Sequence, residues 1–334
     1  AVVGFTIRNA NSIGDHPNVS GGGFSCFAIS SPTIRNNIII NNISRHGGGI
    51  FCDQSSSPKI IGNVIMNNTA LMDGGGICCT SSSSPLIINN VISDNKAPIG
   101  GGVICGWRNS SPKLINNLIS GNSSDEGGGI FCTDSLGIDI SGNVITKNVA
   151  KLGGGLYFNN ASPNLVNNLI ARNFANQGSE ILYRGFPSKL MIMTNNTIVG
   201  HYQGNLQTSS DIIRISDTAF VKIFNTIIWN YGYPEPSFIN CSGKSIVDVS
   251  YSSIWNGSLN INCYDESKVI WRNGNISSDP KFVNADKDDY RLSSKSVCIN
   301  AGLDEDAPLT DIDGKLRYIP LKTNPDIGAY ESLR

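Results

Sequence analysis

Apolar residues in the first half of this chain fall in short runs, at every second position, and each run stops at Gly, Asn, Ser or Pro. Alternation of this kind predicts strands of three to five residues. No window holds an i, i+3, i+4, i+7 stripe, so helices are expected to be scarce. The runs repeat. Aligned on the triplets Gly21–Gly23, Gly47–Gly49, Gly74–Gly76, Gly100–Gly102, Gly127–Gly129 and Gly153–Gly155, which lie 26 or 27 residues apart, each unit reads G-G-G-I-x-C, a turn, S-S-P-x-I-x-N-N-x-I-x-x-N, then another turn. Three short strands cannot bury a core alone, but stacked on the next unit each finds a parallel neighbour one period away. The pattern predicts an all-β parallel β-helix of about nine coils, with equivalent side chains in ladders about 4.8 Å apart. A leucine-rich horseshoe fits less well, because its L-x-x-L-x-L signature and helical segment are missing.

The period assigns the ladders. Cys26, Cys52, Cys79, Cys105 and Cys132 share one inward position, followed by Phe158. Ile50, Ile77, Val103, Ile130 and Leu156 share another. Asn37, Asn63, Asn90, Asn117, Asn143, Asn168 and Asn196 form a third, in which each amide can bond its neighbours above and below. These ladders are structural. Between Ile50 and Cys52, Phe51 is expected to point outward, with Cys78, Ile104, Phe131 and Tyr157 at the same position. That predicts an apolar stripe on an outer face, available to a sugar ring, to a second copy or to a covering loop such as residues 11–20. Trp229, Trp255 and Trp271 extend an aromatic surface into the later coils, or, for the aligned Trp229 and Trp255, make a packing ladder. The regular pattern loosens after Asn173. Gly4–Asn9 fits the second strand of a coil, so the chain is expected to begin mid-coil, with upstream residues or another molecule covering that end. End-to-end and lateral self-association are both expected from such edges.

A net charge of −1 and 15% charged residues leave no basic stripe for nucleic acid. No eighteen-residue apolar run predicts a membrane span. Of nine cysteines, the five in the ladder are expected to stay free, since in-register neighbours rarely meet disulfide geometry. Cys241 and Cys263, in the less regular region, are the pair most suited to a bond. No C-x-x-C occurs and no metal site is expected from the cysteines and histidines. Several N-x-S/T triplets, Asn42-Ile43-Ser44 among them, arise by composition and are glycosylation acceptors only in a host that modifies them.

Residues 276–334 differ in kind from residues 1–275. They carry Ser278-Asp279-Pro280-Lys281-Phe282-Val283, Asp289-Tyr290-Arg291-Leu292, Cys298-Ile299-Asn300-Ala301-Gly302, Thr310-Asp311-Ile312-Asp313-Gly314-Lys315-Leu316-Arg317 and Pro325-Asp326-Ile327-Gly328-Ala329-Tyr330-Glu331. This succession resembles the closing segment of secreted bacterial right-handed parallel β-helix proteins of the pectate-lyase-like superfamily, although Cys298-Ile299-Asn300 stands where I-D is usual. The resemblance covers essentially the whole chain and implies an extracellular or cell-surface location, often with polysaccharide. The segment is expected to cap the solenoid by covering the last coil's apolar ladders. Asp304, Asp306, Asp311 and Asp313 offer oxygen ligands for Ca²⁺, but solvated acidic turns suit their spacing better.

Lyases on such a fold use an Arg or Lys base with Ca²⁺, and hydrolases use paired carboxylates. The candidates are sparse. Arg108 and Asp134 should lie one coil apart, at ion-pair distance, after the cysteine ladder, with Asp53 too far away to join them. His46 and Asp73, one coil apart before the glycines, suit a base and its orienting carboxylate, and equally suit solvated turn residues, the reading preferred here. No cluster of acids stands out. The expectation is therefore a structural or adhesive surface protein that binds polysaccharide or other surface proteins without catalysis. The alternative is a polysaccharide lyase or glycoside hydrolase.

Overall fold

The structure, a computed structural model, describes residues 1–13, 20–107, 109–186, 189–201, 211–231, 238–317 and 323–332. Three parallel sheets wrap one core. The first has eleven strands, from Val2–Val3 and Thr33–Arg35 to Lys268–Trp271. The second has ten, from Thr6–Arg8 to Ser253–Ile254, and the third ten, from Phe24–Cys26 to Ile261–Cys263. A small sheet of Asn11–Ser12, Ile43–His46 and Thr69–Asp73 lies at the corner between the second and third. The stacking amounts to about nine turns. Among the described residues the only helices are the short 3₁₀ turns Gly257–Asn260 and Ala285–Lys287.

The register follows the repeat. Ile77 pairs with Ile50 and Val103, and Cys79 with Cys52 and Cys105. In a three-residue strand the middle residue of the first and second sheets points inward, so Ile60, Ile87 and Leu114 stack in one column and Ile65, Ile92 and Ile119 in another, all buried. The corner between these sheets is one residue in the left-handed region: Asn36, Asn89 and Asn116 serve, and Gly62 and Gly142 replace Asn there. The residue after it is the ladder asparagine. Asn90 donates through its backbone N (2.9 Å) and Nδ2 (3.0 Å) to Asn117 Oδ1, and Nδ2 also reaches Ile60 O at 2.9 Å. The column continues past Asn196 through Thr226, Ser252 and Asn275.

A second amide ladder, Asn42, Asn68, Asn95, Asn122, Asn148 and Asn173, turns the next corner. It ends on a carboxylate. Asn173 donates from N to Glu180 Oε1 (3.2 Å) and from Nδ2 to Oε2 (2.5 Å). Glu180 occupies the place of the third glycine of the triplet. At Gly76, one such glycine, a Cβ would lie 3.1 Å from the Nδ2 of Asn95.

Cys241 and Cys263 form a disulfide with Cα atoms 4.8 Å apart. They are in-register neighbours, on the same column as the cysteine ladder by way of Ile215, Tyr183 and Phe158. The bond expected between Cys241 and Cys263 is therefore present, at an inter-strand spacing within the range a disulfide spans. Cys26, Cys52, Cys79, Cys105 and Cys132 are buried free thiols.

The C-terminal segment begins on the last coil, where Ile276 pairs with Ser253. It lies along the outer face of the second sheet, where Leu169, Ala171 and Val199 pack against Ala285 and Tyr290, and Ile227 and Trp229 pack against Leu292, Cys298 and Ile327. The left-handed corner asparagines hold it: Asn167 Nδ2 donates to Thr310 O, Asn195 Nδ2 to Asp326 O, and Asn225 Oδ1 accepts from Leu303 N. The motif residues close the segment on itself. Asp311 accepts from the backbone N of Asp313, Lys315 and Glu331, and Arg317, fully buried, pairs with Glu331 at 3.2 Å.

Candidate functional site

His46 and Asp73 meet as the repeat requires. They are register partners in the small sheet, and Nδ1 lies 3.0 and 2.9 Å from the two Asp73 oxygens. The thiol of Cys78 donates to Asp73 Oδ1 at 3.2 Å. Asp73 is buried and His46 is about a third exposed beside Phe51. A carboxylate on Nδ1 fixes the imidazole tautomer and leaves Nε2 as the free ring nitrogen, the arrangement of an oriented base. The Cys78 thiol is no nucleophile, because burial, and next the charge of Asp73, push it far above the ordinary thiol range.

The remaining candidates do not join this pair. Asp134 follows the strand Ile130–Thr133 at the opposite edge of the third sheet and is exposed, bonded to Asn160 Nδ2 at 2.6 Å and to Thr133 Oγ1 at 3.2 Å. Arg108 lies outside the described residues. Among the described residues no group of three or more His, Cys, Asp or Glu is placed to hold a metal ion.

The predicted outer stripe is a correction. Phe51, Cys78, Ile104, Phe131 and Tyr157 do leave the main core, but none is exposed: with Leu182 they form a second small core, and Ile99 and Leu152 pack on it. The first glycine of each triplet causes this. Gly74 has φ +65°, which turns the chain so that the residues before it fold back over the outer side chain; a Cβ there would stand 2.5 Å from the Cβ of Cys78. The solenoid covers the stripe with its own corner segments.

Exposed aromatic surface lies elsewhere. In the later coils a cleft of about 550 Å³ is lined by Trp229, Asn230, Tyr231, Trp255, Asn256, Ser277 and Asp279. Trp229 is an outward residue of the strand Ile227–Tyr231 and is buried beneath the C-terminal segment. Trp255, one coil on, sits 5.1 Å from it at 51°, with Phe238 stacked against it at 6.0 Å and 14°. Trp255 keeps 36% of its surface exposed. Asn230 is 4% exposed, yet its Oδ1 has no hydrogen-bond partner among the described residues. The cleft thus has an indole held by its aromatic neighbours and a carboxylate, Asp279, among its lining residues. Sequence reasoning singled out the tryptophans but missed Asn230, Tyr231, Asn256, Ser277 and Asp279. The usable signal was the Trp-Asn dipeptide recurring at 229–230 and 255–256.

Comparison with known proteins agrees with the fold. The family model described as "Right handed beta helix region" matches residues 33–198. A crystal structure of the pectate lyase Pel9A superposes with a TM-score of 0.54 at 14% identity, covering 98% of this chain and 88% of that one. No curated protein matches the sequence. The chain is an all-β parallel β-solenoid of about nine turns that matches a right-handed β-helix, the fold on which that pectate lyase is also built.

Proposed function

We propose that this chain is an extracellular or cell-surface β-helix whose work is to bind glycan rather than to cleave it. The cleft around Trp255 carries this reading. A pyranose presents an apolar face of C–H groups and a rim of hydroxyls; an indole held from behind and a few convergent polar atoms complement both. The Cys241–Cys263 disulfide supports an oxidising compartment, and the similarity in fold to a protein titled a pectate lyase supports a polysaccharide setting. The rival reading, a lyase or hydrolase, draws its support from the His46–Asp73 pair. Sedimentation with insoluble polysaccharides separates them. Trp255→Ala should abolish retention while His46→Ala leaves it unchanged. Turnover of any polysaccharide that His46→Ala removes would replace this reading with the enzymatic one.

A further inference from the structure

We propose that the column of Cys26, Cys52, Cys79, Cys105 and Cys132 is a site of oxidative cross-linking, at which neighbouring thiols join in pairs and staple one coil to the next. Register carries the argument. Cys26 pairs with Cys52, Cys52 with Cys79, Cys79 with Cys105 and Cys105 with Cys132, all in the third sheet. Cys241 and Cys263 stand in the same relation further along the same column, and they are bonded, with Cα atoms 4.8 Å apart. Adjacent strands are ordinarily about 4.8 Å apart, so each step of the ladder offers the reach that suffices at that pair. The sulfurs are already in contact, since each thiol is within hydrogen-bond reach of the next. Cys78 and Cys298 belong to other clusters and have no place on this column.

The step is thiol–disulfide exchange, and the oxidant is a disulfide. One ladder thiolate attacks it, forms a mixed disulfide and releases one of its thiols. The neighbour's thiolate then attacks the ladder sulfur and releases the other. Two S–H bonds and the oxidant's S–S bond are lost and one new S–S bond forms. Two electrons pass to the oxidant, and two protons end on its thiols. The finished solenoid opposes this chemistry. Cys105 is fully buried, and burial, then its bond to Cys132, push it far above the ordinary thiol range. Exchange therefore belongs to the interval before the coils close, when the thiols still meet solvent. A column of five can make two bonds and keeps one thiol.

The test is a disulfide map of the whole chain produced through an oxidising secretory compartment and blocked with iodoacetamide in denaturant. The seven free thiols of the structure should fall to three, namely Cys78, Cys298 and one member of the ladder, with each new bond between register partners. Cys79→Ala divides the column into Cys26–Cys52 and Cys105–Cys132, and should still carry both bonds. Cys52→Ala combined with Cys105→Ala leaves no two ladder cysteines adjacent, and should carry no bond beyond Cys241–Cys263. A parent chain whose five ladder thiols all stay free would overturn the proposal. So would bonds between cysteines that are not register partners, or ladder bonds that persist in the double variant.

Discussion

Asn95 shows how much one side chain can hold together here. Its Oδ1 accepts from the backbone N and Nδ2 of Asn68, and its Nδ2 donates to Asn122 Oδ1 and Ile65 O. Asn95→Ala should strand these groups in the interior and lower stability by about 3 kcal/mol, measured by chemical denaturation; a loss under 1 kcal/mol would mean water replaces the amide. Glu180 ends the same ladder and makes stability depend on pH. Burial pushes its carboxyl from an ordinary 4.5 up to about 8, against the opposing bonds from Asn173. The folded chain thus keeps a proton that the unfolded chain releases near 4.5. Its contribution is complete below that pH and is lost as pH climbs to about 8. Glu331, raised to about 7 by burial and then by Asp326, acts with the same sign. Denaturation at a series of pH values should show stability falling by roughly 2–4 kcal/mol between pH 5 and 8. Glu180→Gln should flatten most of that slope, at the cost of one bond, since an amide nitrogen cannot accept from Asn173. The asparagines were legible in the sequence because they recur; Glu180 was not, because it occurs once, where the period predicts glycine.

At the scale of the corner, the glycine triplet does two jobs that alternation cannot reveal. Its first residue reverses the chain, and its middle residue allows two coils to touch: a Cβ at Gly101 would lie 2.7 Å from the carbonyl oxygens of both Gly128 and Ser123. Because the obstruction is backbone, Gly101→Ala should cost about 2–4 kcal/mol, far more than Ala at an exposed strand position; a melting temperature within a degree or two of the parent would show that the coils can part there. The same corner explains why the stripe from Phe51 to Tyr157 was placed correctly relative to its sheet and wrongly relative to water. Period-two alternation separates the two faces of a strand. It says nothing of a neighbouring segment that folds across one of them, and Ile99 and Leu152 do so. The His46–Asp73 contact, by contrast, was legible, since both residues precede a triplet and stack by period alone.

Over the whole molecule, the C-terminal segment behaves as a buttress along the flank. Its motifs marked it in the sequence as a distinct piece, but its docking site is spread over Leu169, Val199 and Ile227 on successive coils, and no local pattern records such a surface. The attachment converges on Arg317. Its guanidinium donates to Glu331 Oε2, Asn167 Oδ1 and the carbonyls of Asp326, Gly328 and Ala329, with no solvent exposure. Burial lowers its pKa, while Glu331, Asp311 and Asp326 oppose the shift. Removing the cation leaves the buried Glu331 carboxylate without its ion-pair partner, which typically costs about 3–5 kcal/mol. The coils keep their own core, so Arg317→Met should free the segment rather than unfold the solenoid. Limited proteolysis should then cut within residues 276–317 while residues 20–231 persist, and tryptophan emission should shift to the red as Trp229 loses its cover. Resistance to protease equal to that of the parent would show that the apolar contacts to Leu169, Val199 and Ile227 suffice to hold the buttress without the buried ion pair.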